Sequence, residues 1–150
     1  EFPEQWLFAC REFLLREASQ RLGRPFVVTV IPAKPGRLRR LEWFLGHLEK
    51  YVEKNPIPLA RITFAIDVMA YGTGAKSHHG AHLNKPQRFE NVRDNLSVVD
   101  ADAIRGKHVV VIDDVVTTGA SLIYAHTYLS AAGATSVSCL AFAKAISSDL

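Results

Sequence analysis

Cysteine is scarce in this sequence, which contains only Cys10 and Cys139. Two cysteines cannot build the disulfide framework of a small secreted domain, so the sequence favours a reducing compartment in which each cysteine is a small core residue. Long apolar runs are also missing, because no stretch approaches the ~20 residues that a membrane-spanning helix needs, and no secretory signal segment is present. The sequence therefore predicts a cytoplasmic protein without a membrane partner.

The sequence also lacks internal repeats, low-complexity segments and an initiator methionine. The missing methionine suggests a domain excised from a longer protein. With 48% hydrophobic and 22% charged residues, residues 1–150 have the size and composition of a single domain with a full core. The net charge of +3 is modest, and it favours an anionic ligand without requiring a nucleic acid.

Apolar periodicity predicts helices that alternate with strands along most of the chain. Helical spacing of apolar residues occurs at residues 3–22, within an amino-terminal segment 1–24, and again at residues 38–54 and 121–132. The strand-like apolar runs are residues 26–31, 62–69, 98–99, 109–112 and 136–143. This alternation predicts an α/β fold with a central, mainly parallel sheet flanked by helices.

Three segments carry more specific expectations. Residues 70–96 have little periodicity and predict a flexible loop inside the domain. Trp43 and Phe44 form an aromatic pair that we expect in the core, since aromatic side chains bury large areas. Residues 136–143 are almost entirely apolar and predict a buried final strand.

The most informative segment is residues 109–121, VVVIDDVVTTGAS. Its β-branched run predicts a strand covered on both faces, with Asp113 and Asp114 at its carboxyl end, the edge where open α/β sheets bind ligands. The following residues offer hydroxyl donors, a glycine that lets backbone amides approach an anion, and the amino end of a helix. This arrangement favours a phosphate. Because two carboxylates would repel that phosphate, we assign the aspartates to neutral hydroxyls or a bridging cation.

Two other interpretations explain fewer of these residues. A strand ending in two aspartates also resembles the magnesium-holding strand of a P-loop NTPase, and residues 70–77, AYGTGAKS, partly match a Walker A loop. However, Ala70 and Ala75 replace both required glycines, and a Cβ at these positions would obstruct a turn that wraps a phosphate. A plain strand followed by a capped helix explains Thr118 or Ser121 as an N-cap residue, but not two adjacent carboxylates.

Residues 109–121 resemble the phosphoribosyl-pyrophosphate (PRPP) signature of the type I phosphoribosyltransferases. The resemblance implies that Asp113 and Asp114 receive the ribose 2′- and 3′-hydroxyls and steady the charge that develops on the ribose. It also implies Mg²⁺ at this edge, held by the same two aspartates through PRPP hydroxyls or water. The 5′-phosphate would be bound by the turn that follows, at Val116, Thr117, Thr118, Gly119, Ala120 and Ser121.

Residues 31–40, IPAKPGRLRR, follow the first predicted strand and carry several cations. They resemble the pyrophosphate loop of the ComF-like branch of the same family, which implies pyrophosphate contacts at Ala33, Lys34, Gly36 and Arg37, with Arg39 as a further candidate. The alternative is a solvated basic helix start. The segment departs from the ComF pattern at residues 41–44, where LEWF replaces an RGFNQ-type sequence.

A second ComF-like pattern, QxxLxxxxRxxN followed by an apolar residue, is matched in spacing by Leu83, Arg88, Asn91 and Leu96. Gly80 stands where glutamine is usual. We expect a closing flap here, in which Lys76, Lys85 and Arg88 neutralise the departing pyrophosphate and Lys76 and Arg88 act as catalytic groups. Three histidines in the segment lack cysteine or carboxylate partners at ligand spacing and so do not predict a zinc site; they are His78, His79 and His82.

The function implied by the resemblance is transfer or release of the phosphoribosyl group of PRPP with loss of pyrophosphate. A non-catalytic module that senses PRPP or a nucleotide is the alternative, because domains with this signature also occur in helicases and DNA-uptake factors. The expected partners are PRPP or a nucleoside 5′-monophosphate, a fused or associated nucleic-acid-processing domain, and a second copy of the chain in a homodimer. The acceptor base or amine has no legible code in the sequence.

Overall fold

A computed structural model describes residues 2–76, 83–116 and 118–144. Its helices are Glu4–Ser19 (α1), Arg40–Lys54 (α2), Lys85–Asn95 (α3) and Ala120–Ala131 (α4). Its strands are Pro25–Val30 (β1), Arg61–Phe64 (β2), Met69–Tyr71 (β3), Leu96–Val98 (β4), His108–Val116 (β5) and Ser136–Lys144 (β6). One short 3₁₀ helix, Ala101–Ala103, precedes β5.

Four strands form a parallel sheet in the order β2-β1-β5-β6, which confirms the predicted α/β fold. The register places Val30 opposite Ile112 and Asp113 opposite Ala141. The pairing of β1 with β5 continues into the loop, where the Ile31 N–H donates to the Ile112 carbonyl at 2.9 Å. The carboxyl ends of β1 and β5 therefore lie side by side at one edge of the sheet.

The two central strands are covered on both faces, as their unbroken apolar runs predict. Val110 and Ile112 pack in one core with Val28 and with helices α1 and α2. Val109 and Val111 pack in a second core with α4, β3 and β4. Each fully buried aliphatic side chain in these cores contributes about 2 kcal/mol of transfer free energy. Because side chains alternate along a strand, the same alternation directs Asp113 toward the second core and Asp114 toward the first.

The prediction of one strand over residues 62–69 is wrong. β2 ends at Phe64, and β3 starts at Met69 in a separate two-stranded antiparallel sheet with β4. The chain turns between them at Asp67, whose φ of 60° lies in the left-handed region that aspartate tolerates better than most residues. β4 likewise covers Leu96–Val98 rather than residues 98–99.

The prediction of a flexible loop over residues 70–96 is also wrong at both ends. Residues 70–71 belong to β3, and α3 occupies Lys85–Asn95. The helix starts with a reciprocal capping box between Asn84 and Gln87, a signal that is legible in the sequence. The helix has few apolar residues, so its periodicity is weak and the capping box is the better predictor. The part of the expected flap at residues 77–82 lies outside the described residues.

Three burial predictions also need correction. Trp43 is 57% exposed, whereas its neighbour Phe44 is fully buried as expected. Cys139 is exposed and Cys10 is buried. The third correction concerns residues 136–143, since none of the side chains described at positions 136–142 is fully buried. Both Cys139 and this segment are more exposed than predicted because β6 is an edge strand, with no neighbouring strand on one side.

A buried polar cluster joins α1 to the amino ends of β5 and β6. The His108 ring is 4% exposed, with Nε2 2.8 Å from Glu17 Oε1 and Nδ1 2.6 Å from Ser136 Oγ. Ser138 Oγ donates to the same Glu17 oxygen at 2.6 Å. Burial lowers the pKa of His108 below its ordinary value, despite the neighbouring carboxylate. Burial alone would raise the pKa of Glu17, but hydrogen bonds from Ser138 and His108 bring this pKa below its ordinary value.

These pKa shifts predict that the contribution of the His108–Glu17 cluster to stability falls as the medium becomes acidic. Below the ordinary pKa of histidine, the unfolded chain takes up a proton that the buried His108 ring resists, so the free energy of unfolding falls. Glu17 adds to this loss at lower pH, since its folded carboxylate also resists protonation. We expect the stability advantage of the wild type over His108→Gln to narrow between about pH 7 and about pH 5 in urea denaturation. A constant difference would contradict the prediction.

Candidate functional site

The carboxyl edge of the parallel sheet brings together most of the residues singled out in the sequence. The loop after β1 carries Lys34 and Arg37, the last residues of β5 include Asp113 and Asp114, and α4 begins directly beyond β5. Lys34 is close enough to Asp113 for their charges to influence each other's pKa. The strand order that makes β1 and β5 neighbours therefore assembles a cationic loop and two carboxylates at one place.

The two aspartates leave β5 on opposite faces of the sheet. Asp113 lies on the side of Lys34 and Tyr71, whose pKa values its charge affects. Asp114 lies on the side of α2, where Arg40 Nη1 approaches its Oδ2 at 3.5 Å. The Asp114 N–H donates to Asp113 Oδ1 at 2.9 Å, which ties the two residues together. The carboxylates thus lie on either side of the strand's end, where two neighbouring hydroxyls could each reach one.

The Asp113 carboxyl is poised between its neutral and charged forms. Burial raises its pKa to about 7, the Asp114 charge acts in the same direction, and the Asp114 N–H and the Lys34 ammonium oppose them. Burial also lowers the pKa of Lys34, against the effect of Asp113. A hydroxyl donor or a cation brought to this place would favour the charged form of Asp113.

The turn before α4 has the backbone geometry that an anion site needs. Gly119 has a φ of 82°, in the left-handed region, and α4 begins at the next residue, Ala120. Thr118 Oγ1 accepts from the Ala120 N–H at 3.2 Å. N–H groups in the first turn of a helix have no intrahelical acceptor, and the helix dipole adds partial positive charge there. Thr117 lies outside the described residues, and for Val116 only the backbone is described, as the last residue of β5.

Tyr71 is a member of the site that the sequence did not reveal. Its Oη lies 3.1 Å from Ser121 Oγ, and the Lys34 Nζ lies 5.4 Å from the centre of its ring. Burial raises the pKa of Tyr71 to about 12, so its hydroxyl keeps its proton at neutral pH and can donate. Its partners are distant in sequence, and no local pattern marks it. Tyr71 therefore connects the β1 loop with the first turn of α4.

The loop between β1 and α2 is held in a defined shape. The Arg37 N–H donates to the Lys34 carbonyl at 3.1 Å, and Gly36 has a φ of 77°, which glycine adopts without strain. The Ala33 N–H donates to Glu42 Oε2 at 3.2 Å. Lys34 is half-buried beside Asp113, whereas Arg37 is exposed. Of the four residues predicted in this loop, Lys34 is therefore the one packed into the site.

Lys76 and Arg88 are not placed beside the aspartates by any contact in the described part of the chain. The Asn91 side chain instead fixes the Lys76 backbone, accepting from its N–H at 2.9 Å and donating to its carbonyl at 2.7 Å. Arg88 lies on α3, and its Nε is buried without a hydrogen-bond partner among the described residues. The asparagine of the second ComF-like pattern thus anchors the strand-to-loop connection, and catalytic roles for Lys76 and Arg88 stay predictions.

The position of β3 does not favour the P-loop NTPase interpretation. A Walker A loop follows a strand and leads directly into a helix. Here the strand before residues 72–76 is β3, which pairs antiparallel with β4 outside the parallel sheet, and residues 77–82, where such a helix would begin, lie outside the described residues.

A metal held by the protein alone is not built into the described residues, which contain no group of three or more His, Cys, Asp or Glu side chains at metal-binding positions. Magnesium commonly uses only one or two carboxylates and takes its other ligands from phosphates and water. Asp113 and Asp114 are carboxylates of the kind that such an ion uses. The three histidines at positions 78, 79 and 82 lie outside the described residues.

Among the helices of residues 2–76, 83–116 and 118–144, none combines the length and the apolar character that a bilayer span requires.

Comparison with known proteins gives one family match and several structural ones. The phosphoribosyl transferase domain family matches residues 63–149. No curated protein matches the chain significantly. Among solved structures, a hypoxanthine phosphoribosyltransferase from Staphylococcus aureus has a TM-score of 0.55 at 15% identity, over 95% of this chain and 74% of that chain.

Two further structures are similar at lower scores. HGPRT-ase from Leishmania tarentolae, in complex with GMP, has a TM-score of 0.48 at 14% identity, over 90% of this chain and 62% of that one. The hypoxanthine-guanine phosphoribosyltransferase from Schistosoma mansoni, in complex with IMP, has a TM-score of 0.48 at 13% identity, over 90% of this chain and 52% of that one. The similarity to the Staphylococcus aureus enzyme supports the fold described above.

Proposed function

We propose that this chain, which belongs to the phosphoribosyl transferase domain family, binds PRPP with Mg²⁺ and transfers its phosphoribosyl group with loss of pyrophosphate. The observation that carries the proposal is the position of Asp113 and Asp114. They lie between two features: the loop that follows the neighbouring strand β1 and carries Lys34, and the turn at Gly119 that leads into α4. A ribose with a phosphate on its 5′ carbon and a pyrophosphate on C1 presents groups that match these three features in order.

The carboxylates and the turn would hold the ribose 5-phosphate half of the substrate. Asp113 and Asp114 accept hydrogen bonds from the 2′- and 3′-hydroxyls, one on either side of the end of β5. The 5′-phosphate lies against the first turn of α4, where Gly119 allows close approach of backbone amides and Ser121 adds a hydroxyl. The phosphate and the carboxylates are thereby kept apart, which limits their mutual repulsion.

The loop between β1 and α2 would hold the pyrophosphate. Lys34 supplies a cation that is already beside Asp113, and Arg37 supplies a second that is exposed and free to approach a ligand. When bound, Mg²⁺ supplies positive charge that neutralises the pyrophosphate and makes it a better leaving group.

The reaction breaks the bond between C1 and the pyrophosphate oxygen and forms a bond from C1 to a nitrogen nucleophile on the opposite face. Positive charge develops on the ribose in the transition state, and the carboxylates of Asp113 and Asp114 stabilise it. The chain contributes orientation and fixed charge rather than a covalent intermediate.

The proposed location is the cytoplasm, and the two free cysteines agree with a reducing compartment of this kind.

The ComF-like assignment is the finer part of the proposal. It depends on residues 31–40 and on the pattern that includes Arg88 and Asn91. The anchoring of Lys76 by Asn91 supports a structural reason for the asparagine of that pattern.

Calorimetry with PRPP and Mg²⁺, combined with an assay for released pyrophosphate, tests the proposal. PRPP should bind, and pyrophosphate should be released in the presence of one member of a panel of nucleobases and amines. Binding without release for any member would favour the sensing module instead. If neither PRPP with Mg²⁺ nor a nucleoside 5′-monophosphate binds, both functions are refuted.

A further inference from the structure

Glu42 is a buried carboxylate that has no part in the function proposed above. It is 8% exposed, whereas Glu49 and Glu53 on the same helix are exposed. Burying a charged group is costly unless it is paired and hydrogen-bonded, so its position calls for a physical reason. That reason lies in the loop between β1 and α2.

Glu42 connects the two ends of this loop. Its Oε2 accepts from the Ala33 N–H at 3.2 Å and lies 3.4 Å from Arg39 Nε. Ala33 and Arg39 enclose the segment that carries Lys34 and Arg37. A glutamate at the third position of a helix commonly turns back to the N–H of its own N-cap residue. Here it reaches nine residues back, to the start of the loop.

The pairing of Glu42 also divides the positive charges of the loop into two groups. Arg39 is engaged by Glu42 and by Asp67, which lies in the turn after β2. Lys34 and Arg37 are not held by Glu42 in any contact of the described structure. One cation thus serves the shape of the loop, and the others stay available for an anion.

The two oxygens of the Glu42 carboxylate differ in their hydrogen-bond partners. Glu42 Oε1 is buried and has no hydrogen-bond partner among the described residues. An unsatisfied buried oxygen costs free energy, so the contacts that Oε2 makes with Ala33 and Arg39 have to hold the carboxylate in place.

We infer that Glu42 is a positioning residue, which holds Ala33 and Arg39 so that Lys34 and the loop backbone present a fixed geometry to pyrophosphate. The inference depends on the proposed function, because it concerns the pyrophosphate half of the same site. Glu42 itself contacts neither the substrate nor the reacting atoms.

Two ligands that differ only in the pyrophosphate test the inference. Glu42→Ala should weaken the binding of PRPP with Mg²⁺ about tenfold in calorimetry, since a misplaced loop loses roughly one charge-assisted contact. Binding of ribose 5-phosphate should stay within about twofold of wild type, because its phosphate lies on the α4 turn. Hydrogen exchange at the Ala33 amide should become faster. The matched control, Glu49→Ala, removes an exposed carboxylate from the same helix and should change none of these.

The outcomes separate this inference from the proposed function. Equal loss of both ligands would indicate a general structural role and overturn the inference, as would unchanged PRPP affinity. If Glu42→Ala does not fold, Glu42→Gln replaces it, since the amide keeps the acceptor for Ala33 but loses the charge that holds Arg39. The same selective loss of PRPP is then expected at smaller size, and its absence overturns the inference. Wild-type protein that binds ribose 5-phosphate but not PRPP would refute the proposed function instead.

Discussion

Replacing both aspartates at the end of β5, Asp113→Asn with Asp114→Asn, should lower the affinity for PRPP with Mg²⁺ at least about 100-fold. Each amide keeps the size of the carboxyl but loses the charge that strengthens a hydrogen bond from a ribose hydroxyl and attracts the metal. Two such losses amount to about 3 kcal/mol. Calorimetry measures the affinity directly. Unchanged affinity would contradict the assigned ribose contact.

The same double variant should fold at least as well as the wild type. Burial raises the pKa of Asp113 to about 7, so above that pH the folded protein carries a carboxylate charge that burial disfavours relative to the unfolded chain. Removing the charge should therefore leave the free energy of unfolding unchanged or raise it near pH 8. The matched control is Asp100→Asn with Asp102→Asn, which makes the same chemical change at two exposed positions before β5. Loss of PRPP affinity in this control would show that net charge, rather than the site, is responsible.

Gly119→Val should weaken the binding of ribose 5-phosphate about 30-fold. Valine is strained at a φ of 82°, and relief of that strain moves the backbone amides of the proposed 5′-phosphate site. The loss of two amide hydrogen bonds costs about 2 kcal/mol of binding free energy. Calorimetry with ribose 5-phosphate measures the change.

A second glycine provides the control for backbone strain. Gly23 has a φ of 74° in the turn between α1 and β1, and no atom lies within 4 Å of a Cβ added there. Backbone strain should therefore lower the free energy of unfolding of Gly23→Val by about 1–2 kcal/mol, as in Gly119→Val. Gly23→Val should keep its affinity for ribose 5-phosphate. If both variants lose affinity equally, strain alone explains the effect, and the α4 turn is not the phosphate site.

The centre of the fold could be predicted because its determinants are local. The unbroken run at residues 109–112 specifies a strand with two covered faces, and the glycine at position 119 specifies the turn into a helix. Asp113, Asp114 and the loop after β1 could be placed at one edge because parallel strands share their carboxyl edge. These inferences needed only the order of residues along the chain.

The rest of the site could not be predicted because it depends on contacts between distant residues. The Tyr71 hydroxyl contacts Ser121, which lies 50 residues further along the chain, and no local sequence pattern predicts this contact. Glu42 resembles an ordinary charged residue in the first turn of a helix until the fold brings Ala33 to it. Cys139 shows the same limit in the core, since an apolar run cannot reveal that its strand is the last in the sheet.

Because Asp113 and Asp114 lie on opposite faces of the sheet, mutations in the core can affect the position of each carboxylate separately. Each acid is backed by its own hydrophobic layer, with Ile112 and the α1 and α2 helices behind one and Val111 and α4 behind the other. In the proposed complex, substitutions that repack one of these layers would move one of the two carboxylates, and the ribose hydroxyl it binds, while the other carboxylate stays in place. Substitutions in one hydrophobic layer could therefore adapt the site to a different group at one ribose position. The strand that carries both aspartates would not have to change.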